Sequence, residues 1–222
     1  MKKYAFFDFD GTLIAKDSFR IILKNTLLKQ PWRLFFIALF SPIYLWTLIF
    51  KIDKAYAKSA ILWSLTFGKS KTNTIRYFKS VLAPHYEEIW FTQAQAEFEQ
   101  LKAQGVEIIV VTASGQCWVR ALLREKGRGF RAVIGSQLRF FAGGVIFSSK
   151  NCYGAEKILR IEQLLGKDIE WHSAWSDHPA DLPMLLKSNE KKIIAPLKKH
   201  LKVFAKNIQT PYEIKKWKVV KK

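Results

Sequence analysis

Tyr4-Ala5-Phe6-Phe7 runs straight into Asp8-Phe9-Asp10-Gly11-Thr12, and this junction constrains the fold more than any other stretch. A continuous apolar run ending in a turn signal predicts a strand buried on both faces of a parallel sheet, since a strand with one wet face would alternate. Open α/β sheets bind their ligands at the carboxyl ends of such strands, which is where Asp8 and Asp10 stand. Along a continuing strand the two carboxylates project to opposite sides of Phe9, but a turn at Gly11 can bring both to one site. Two carboxylates forced together repel unless a proton or cation intervenes. A hard divalent ion such as Mg²⁺ relieves that cost, because it prefers oxygen ligands and keeps waters or substrate phosphate around it. The plainer alternative is a polar turn after a strand.

Asp8-Phe9-Asp10-Gly11-Thr12 resembles the first motif of the haloacid dehalogenase-like (HAD) hydrolases. The resemblance implies a nucleophilic Asp8, an acid/base Asp10 and Mg²⁺-dependent phosphoryl transfer.

A chain of 222 residues, 49% of them hydrophobic, can build one core with a smaller inserted part. Its formal charge of +19, from 37 basic and 18 acidic residues, favours anionic membranes, nucleic acid or phosphate-bearing substrates. No nucleic-acid motif is present and the lysines lack an interleaved aromatic platform, so a nucleic-acid partner is not expected. Cys117 and Cys152 are too few for a disulfide framework and are expected as reduced thiols of a cytosolic compartment. The start Met1-Lys2-Lys3 is basic, but the apolar run behind it breaks at Asp8 and fails as a secretory segment.

Asp17-Ser18 reads as an N-cap pair, followed by Phe19, Ile22, Leu23 and Leu27 as one apolar helical stripe. Pro31 is placed to open a second helix. From Leu34 to Phe50 no residue is charged. As a straight helix this run would be about 25 Å long, short of the roughly 30 Å hydrocarbon core, and Ser41-Pro42 should break it midway. A single crossing would also put the first strand and its partners on opposite sides of a membrane. A re-entrant hairpin, an in-plane interfacial pair and a soluble core helix remain open. Between Lys16 and Lys58 stand eight Lys or Arg and two acidic residues, on both sides of the run, which suits a segment whose ends stay on the cytoplasmic face. Trp32, Tyr44 and Trp46 add interfacial aromatics. Asp53 is expected to cap a helix over 54–67 stopped by Gly68, Ser70 to cap the next, and Pro84 to begin or kink a long helix towards Gln104. Residues 17–84 therefore read as an all-helical insert, with 1–16 and 85–222 forming the core.

Val106 to Val111 predicts the next buried strand, ending in Thr112-Ala113-Ser114-Gly115 with a helix from Gln116. A hydroxyl and free N–H groups at a strand-to-helix junction suit a phosphate, although an ordinary helix cap gives the same pattern. The stretch 130–137 suggests a strand, and 138–147 a hairpin with a Gly143-Gly144 turn. An amphipathic helix opens near Gly154 and carries Lys157. Residues 169–175 form a strand that ends in Ser176-Asp177-His178-Pro179-Ala180-Asp181, and 192–196 a last short strand. From Lys191 to Lys222 come eleven lysines and one acidic residue, read either as a solvated, partly disordered tail or as a polybasic patch for anionic lipid.

These segments resemble the remaining HAD motifs in order. The resemblance implies phosphate binding by Thr112, Ala113 and Lys157, and Mg²⁺ held by Asp8, Asp10 through its carbonyl, and Asp177. It places Asp181 behind Asp177, where an N-cap role is also open, and leaves Asp17 either facing substrate or only capping its helix. His178 departs from the small residue expected there. A Rossmann-like three-layer α/β core with a parallel sheet and an inserted all-helical cap follows, as in subfamily IB with a C1-type cap, which includes phosphoserine phosphatases. The apolar, basic cap resembles that of the bacterial phosphatidylglycerophosphatase C group. This implies an aspartyl-phosphate mechanism on a lipid phosphate at an anionic membrane, the cytoplasmic face of a bacterial inner membrane. The alternatives are a soluble, cytoplasmic phosphatase of phosphoserine or another small metabolite, and a nonenzymatic basic membrane or nucleic-acid binding module.

Overall fold

The computed structural model describes residues 1–50, 54–148 and 150–219. Its strands are β1 (Lys3–Phe7), β2 (Glu107–Gly115), β3 (Ala132–Ser136), β4 (Leu138–Phe141), β5 (Gly144–Phe147), β6 (Glu170–Ser176), β7 (Glu190–Ile194) and β8 (Glu213–Lys215). All but β4 and β5 join one parallel sheet in the order β3-β2-β1-β6-β7-β8. β1 is central because its residues are apolar on both faces. Ala5 and Phe7 enter one hydrophobic cluster, while Tyr4 and Phe6 enter the other, so each face has its own core. This is the expected α/β, Rossmann-like architecture. The chain steps outward from β1 to β2 and β3, then returns to the other side of β1 as β6. A crevice opens at such a reversal, outside the carboxyl ends of the strands.

Between β1 and β2 lie α1 (Ser18–Lys29), α2 (Arg33–Leu39), α3 (Ser41–Ile49), α4 (Lys54–Thr66), α5 (Lys71–Ile89) and α6 (Thr92–Ala103). Asp17 caps α1 by accepting from Arg20 N–H at 2.9 Å, and Ser70 caps α5 by accepting from Asn73 N–H at 3.2 Å. The residue expected to cap α4, Asp53, and the side chain of Tyr44 lie outside the described residues. Pro84 sits inside α5, and the helix break falls later, at Trp90–Phe91. There the chain is captured by the first loop: Ala15 N–H donates to the Ile89 carbonyl at 2.7 Å and Phe91 N–H to the Leu13 carbonyl at 3.1 Å. Those long-range bonds outrank the local proline signal.

The uncharged run divides at Phe40, because Pro42 lacks an N–H and is accommodated in the first turn of α3. No helix among the described residues is long and apolar enough to cross a membrane. Nor is the run a buried core helix, since Phe35, Ile49 and Phe50 are 69%, 71% and 66% exposed. Arg33, counted by sequence among the flanking surface cations, is instead buried. Its guanidinium donates to the carbonyls of Ser64 at 2.9 Å and Phe67 at 3.1 Å, closing the C-terminal end of α4.

The hairpin β4–β5 is latched onto α4. Trp63 Nε1 donates to the carbonyls of Phe141 at 3.0 Å and Ala142 at 3.1 Å, and Thr66 Oγ1 accepts from Val145 N–H at 2.8 Å. The turn itself is Ala142-Gly143, both at positive φ, one residue earlier than expected. Gly144 is in the ladder beneath Trp63, where a Cβ would lie 2.7 Å from the indole.

The remaining helices are α7 (Gln116–Glu125), α8 (Ala155–Leu165), α9 (Leu182–Lys187) and α10 (Lys198–Asn207). The lysine-rich end is therefore not a disordered tail through residue 219. It forms α10, and β8 extends the sheet beside β7, anchored by the buried Trp217 against Phe91 and Trp175. Lysines masked that signal, because their stems can border the fold while their charges stay in water. Cys117 and Cys152 are both free thiols.

Candidate active site

Asp8 continues the line of β1, its N–H donating to the Trp175 carbonyl of β6 at 3.0 Å. Beyond it, buried Phe9 anchors a tight loop whose carbonyl accepts from Leu13 N–H at 2.9 Å and Ile14 N–H at 3.1 Å. Gly11 turns the chain at φ +83°. That turn carries Asp10 to the cavity that Asp8 faces, as the sequence anticipated. Gly11 meets a second demand: a Cβ there would fall 2.4 Å from a carboxylate oxygen of Asp177.

Lys157, in the first turn of α8, is 2% exposed. Its ammonium donates to Asp8 Oδ1 at 2.7 Å and to Asp181 Oδ2 at 2.8 Å. Ser176, the last residue of β6, donates its hydroxyl to the same Asp181 oxygen at 2.7 Å. Asp181 makes no side-chain cap to α9, so its carboxylate serves Lys157 instead. Asp177 is fixed from the first loop: its N–H donates to Thr12 Oγ1 at 3.1 Å, and the Thr12 hydroxyl donates to Asp177 Oδ1 at 3.2 Å. Asp10 accepts Ser18 N–H on Oδ1 at 2.6 Å and the Ser114 hydroxyl on Oδ2 at 2.5 Å. A helix start and a strand end thus clamp both oxygens of one carboxylate.

The sequence matches the haloacid dehalogenase-like hydrolase family over residues 5–186, spanning all four of these loops. The chain belongs to this family. It is 30% identical over 191 residues to the protein CicA of Caulobacter vibrioides, covering 83% of this chain and 82% of that one. Among solved structures, the fold resembles a protein with unknown function from Bordetella pertussis Tohama I, with a TM-score of 0.71 at 15% identity over 93% and 96% of the two chains. It also resembles a phospho-aspartyl intermediate analogue of phosphoserine phosphatase, with a TM-score of 0.60 at 16% identity over 97% and 94%.

Within this HAD hydrolase, Asp8, Asp10, Asp17, Ala113, Lys157, Asp177 and Asp181 all border one cavity of 520 Å³. Thr112 lies fully buried just behind it, where its Oγ1 accepts Ser114 N–H at 3.0 Å and shapes the loop that presents Ala113 and Ser114. Asp17 caps α1, and it also borders the cavity. His178 also borders it. Its Nδ1 accepts Ala180 N–H at 3.1 Å, and burial together with neighbouring His200 lowers its pKa, favouring the neutral ring.

Electrostatics separates the carboxylates. Burial first, then neighbouring Asp17, pushes Asp10 up to about 6 against the opposing bonds from Ser114 and Ser18. Asp177 also rises to about 6, chiefly by burial. Burial pushes Asp8 well above the usual carboxylate range, opposed by Lys157 and reinforced by Asp181 and Asp177. Burial alone would lower Lys157, but Asp181 and Asp8 outweigh it and hold the ammonium above the usual lysine range.

The donor set suits a hard divalent cation. Among the described residues no three His, Cys, Asp or Glu side chains group as a metal site. Asp8 and Asp177 are nevertheless close enough to raise one another's proton affinity, and the glycine at position 11 leaves room for the Asp177 carboxylate. Two carboxylates, a backbone carbonyl and water fit Mg²⁺ and leave a histidine ligand unneeded. Thr12, Ser18, Ser114 and Ser176 went unassigned in the sequence. Their shared signal is a small hydroxyl residue within or beside a loop that follows a buried strand.

Proposed function

We propose that this hydrolase is a Mg²⁺-dependent phosphomonoesterase that dephosphorylates phosphatidylglycerophosphate to phosphatidylglycerol through an aspartyl-phosphate intermediate. The observation that carries the chemistry is Asp8 held by Lys157 at 2.7 Å while Asp10, two residues on, is clamped separately by Ser18 and Ser114. Asp8 attacks phosphorus, forming a carboxyl–phosphate bond as the ester oxygen departs. Asp10, whose pKa near 6 allows it to hold a proton close to neutrality, protonates the leaving alkoxide. It then takes a proton from the water that hydrolyses the acyl phosphate. Lys157 fixes Asp8 and offsets charge on the phosphoryl oxygens, helped by N–H groups of the Ala113–Ser114 loop. Asp8, Asp177 and the Asp10 carbonyl would hold Mg²⁺, which when bound supplies charge neutralisation to the phosphoryl group. Asp181 and Ser176 keep Lys157 aimed.

The lipid substrate rests on the insert. α2, α3 and the residue that ends α3 expose Phe35, Leu39, Leu45, Trp46, Ile49 and Phe50 on a chain of net charge +19. Large apolar side chains exposed on two successive helices of a basic protein suit an in-plane seat on anionic lipid, at the cytoplasmic face of a bacterial inner membrane. A second reading, a phosphoserine-type phosphatase of small soluble esters, is favoured by the fold shared with phosphoserine phosphatase. The test is Mg²⁺-dependent phosphate release from phosphatidylglycerophosphate in mixed micelles, beside phosphoserine and glycerol 3-phosphate. Asp8→Asn should fold normally and lose on the order of 10⁴-fold in turnover. Near-normal turnover in that variant removes the nucleophile assignment, and preference for phosphoserine replaces the lipid reading.

A further inference from the structure

The cavity does not end at the catalytic carboxylates. Its outer part is bordered by three cations from the insert side, Lys16 and Arg20 around the start of α1 and Lys58 on α4. Among the described residues neither Lys16 nor Lys58 has an acidic partner. Arg20 lies 4.0 Å from Asp17, whose other oxygen is already taken by the Arg20 N–H as the cap of α1. Three cations and the one carboxylate of Asp17 border this side of the cavity, while Lys157 already donates to Asp8 and Asp181. At 520 Å³ the cavity is far larger than a phosphoryl group needs and is within the usual size for whole small-molecule ligands.

We propose that Lys16, Arg20 and Lys58 form a second anion subsite, which holds the phosphodiester that the substrate proposed above carries beside its phosphomonoester. This rests on the phosphatase reading above. A guanidinium and two ammonium groups suit phosphate oxygens. Continuity decides for a diester over a carboxylate. α2 and α3 both pack on α4, so the apolar face adjoins the helix that supplies Lys58. A phosphodiester keeps its negative charge while linking two groups, whereas a carboxylate loses its charge once esterified. A diester held at the mouth can therefore present the monoester to Asp8 while whatever is attached beyond it extends towards the apolar face. Lys58, half-buried, carries most of the recognition, and the exposed Lys16 and Arg20 less.

The experiment compares three soluble esters with the full chain and Mg²⁺: glycerol 3-phosphate, its derivative with a methyl phosphodiester on the far primary hydroxyl, and the uncharged methyl ether of the same shape. The diester is expected to have the highest kcat/KM, with the gain absent from the ether. Lys58→Gln should cut the diester-to-ether ratio about tenfold, equivalent to about 1.4 kcal/mol, chiefly through KM, and Lys58→Arg should restore it. A fourth arm, a short-chain lipid bearing the same two phosphates, separates the sources: a further gain assigns a lipid headgroup, and equality assigns a soluble diester. A parent ratio near one, or a ratio unmoved by Lys58→Gln, overturns the subsite. Release from no ester, with the parent matching Asp8→Asn, removes the phosphatase reading and the subsite with it.

Discussion

The carboxylate-lined crevice and the α2–α3 face reverse the ordinary distribution of polarity in opposite ways. In the crevice Asp8, Lys157 and Asp181 are buried charges, each with a partner within 2.8 Å. On the insert, large apolar side chains stand in solvent without a cover among the described residues. Burying a charge is costly unless it is paired, and exposing an apolar patch forfeits about 25 cal/mol per Å². Neither arrangement helps this chain fold, so each marks a place where function outweighs stability. The difference lies in where the missing partner comes from. The crevice pairs its charges internally, whereas the insert face has no cover among the described residues and, in the proposed membrane seat, would meet lipid.

The largest break in that comparison is Lys157→Met. It strands Asp8 and Asp181 as buried carboxylates, and removing one member of a buried ion pair costs about 3–5 kcal/mol. Denaturant midpoints should show that loss together with abolished phosphate release. Arg33→Met tests whether the insert depends on its own buried charge, since it orphans the Ser64 and Phe67 carbonyls at the end of α4. A loss of about 2–4 kcal/mol is expected in the same unfolding measurement, with turnover of the folded fraction falling less than in Lys157→Met.

A pH series sharpens the crevice side. Because Asp10 is held up at about 6, the chelated protein binds its proton more tightly folded than unfolded. That contribution favours the fold at low pH and is lost as pH rises from about 4 to about 6. Melting temperatures in EDTA should therefore show Asp10→Asn gaining on the parent across that window and then running parallel. Asp177, also near 6, should make divalent-cation affinity fall below about pH 6 as protons compete. The smallest stability effect belongs to the other region. The pair Phe35→Ser and Trp46→Ser should move stability by no more than about 0.5 kcal/mol each. Their co-sedimentation with anionic vesicles should nevertheless drop about tenfold, and unchanged sedimentation removes the membrane seat.

Legibility followed the range of the interactions. The strand at Tyr4–Phe7 and the paired carboxylates were readable because each is a local pattern with a short spacing, whereas Lys157 and the Asp177–Asp181 pair were legible only through their resemblance to the HAD motifs. The clamp on Asp10 was not, because Ser18 and Ser114 lie 8 and 104 residues away. Arg33 looked like a surface cation, and only the packing of α2 against α4 turns it into the closure of a helix end. The break at Trp90 was hidden for the same reason: it is made by pairing with Leu13 and Ala15, while Pro84 was the conspicuous residue.

The sequence by itself determined the doubly buried first strand, the paired carboxylates at its end and the two-part character of the uncharged run. All three follow from backbone chemistry or side-chain polarity within a few residues. Tertiary structure alone decided which carboxylate oxygen meets which donor, the latch of the hairpin onto α4, the ordered β8 edge and the exposure of the α2–α3 face. Those depend on contacts between segments far apart in the chain, where a hydroxyl or a lysine carries no local sign of the partner it will find.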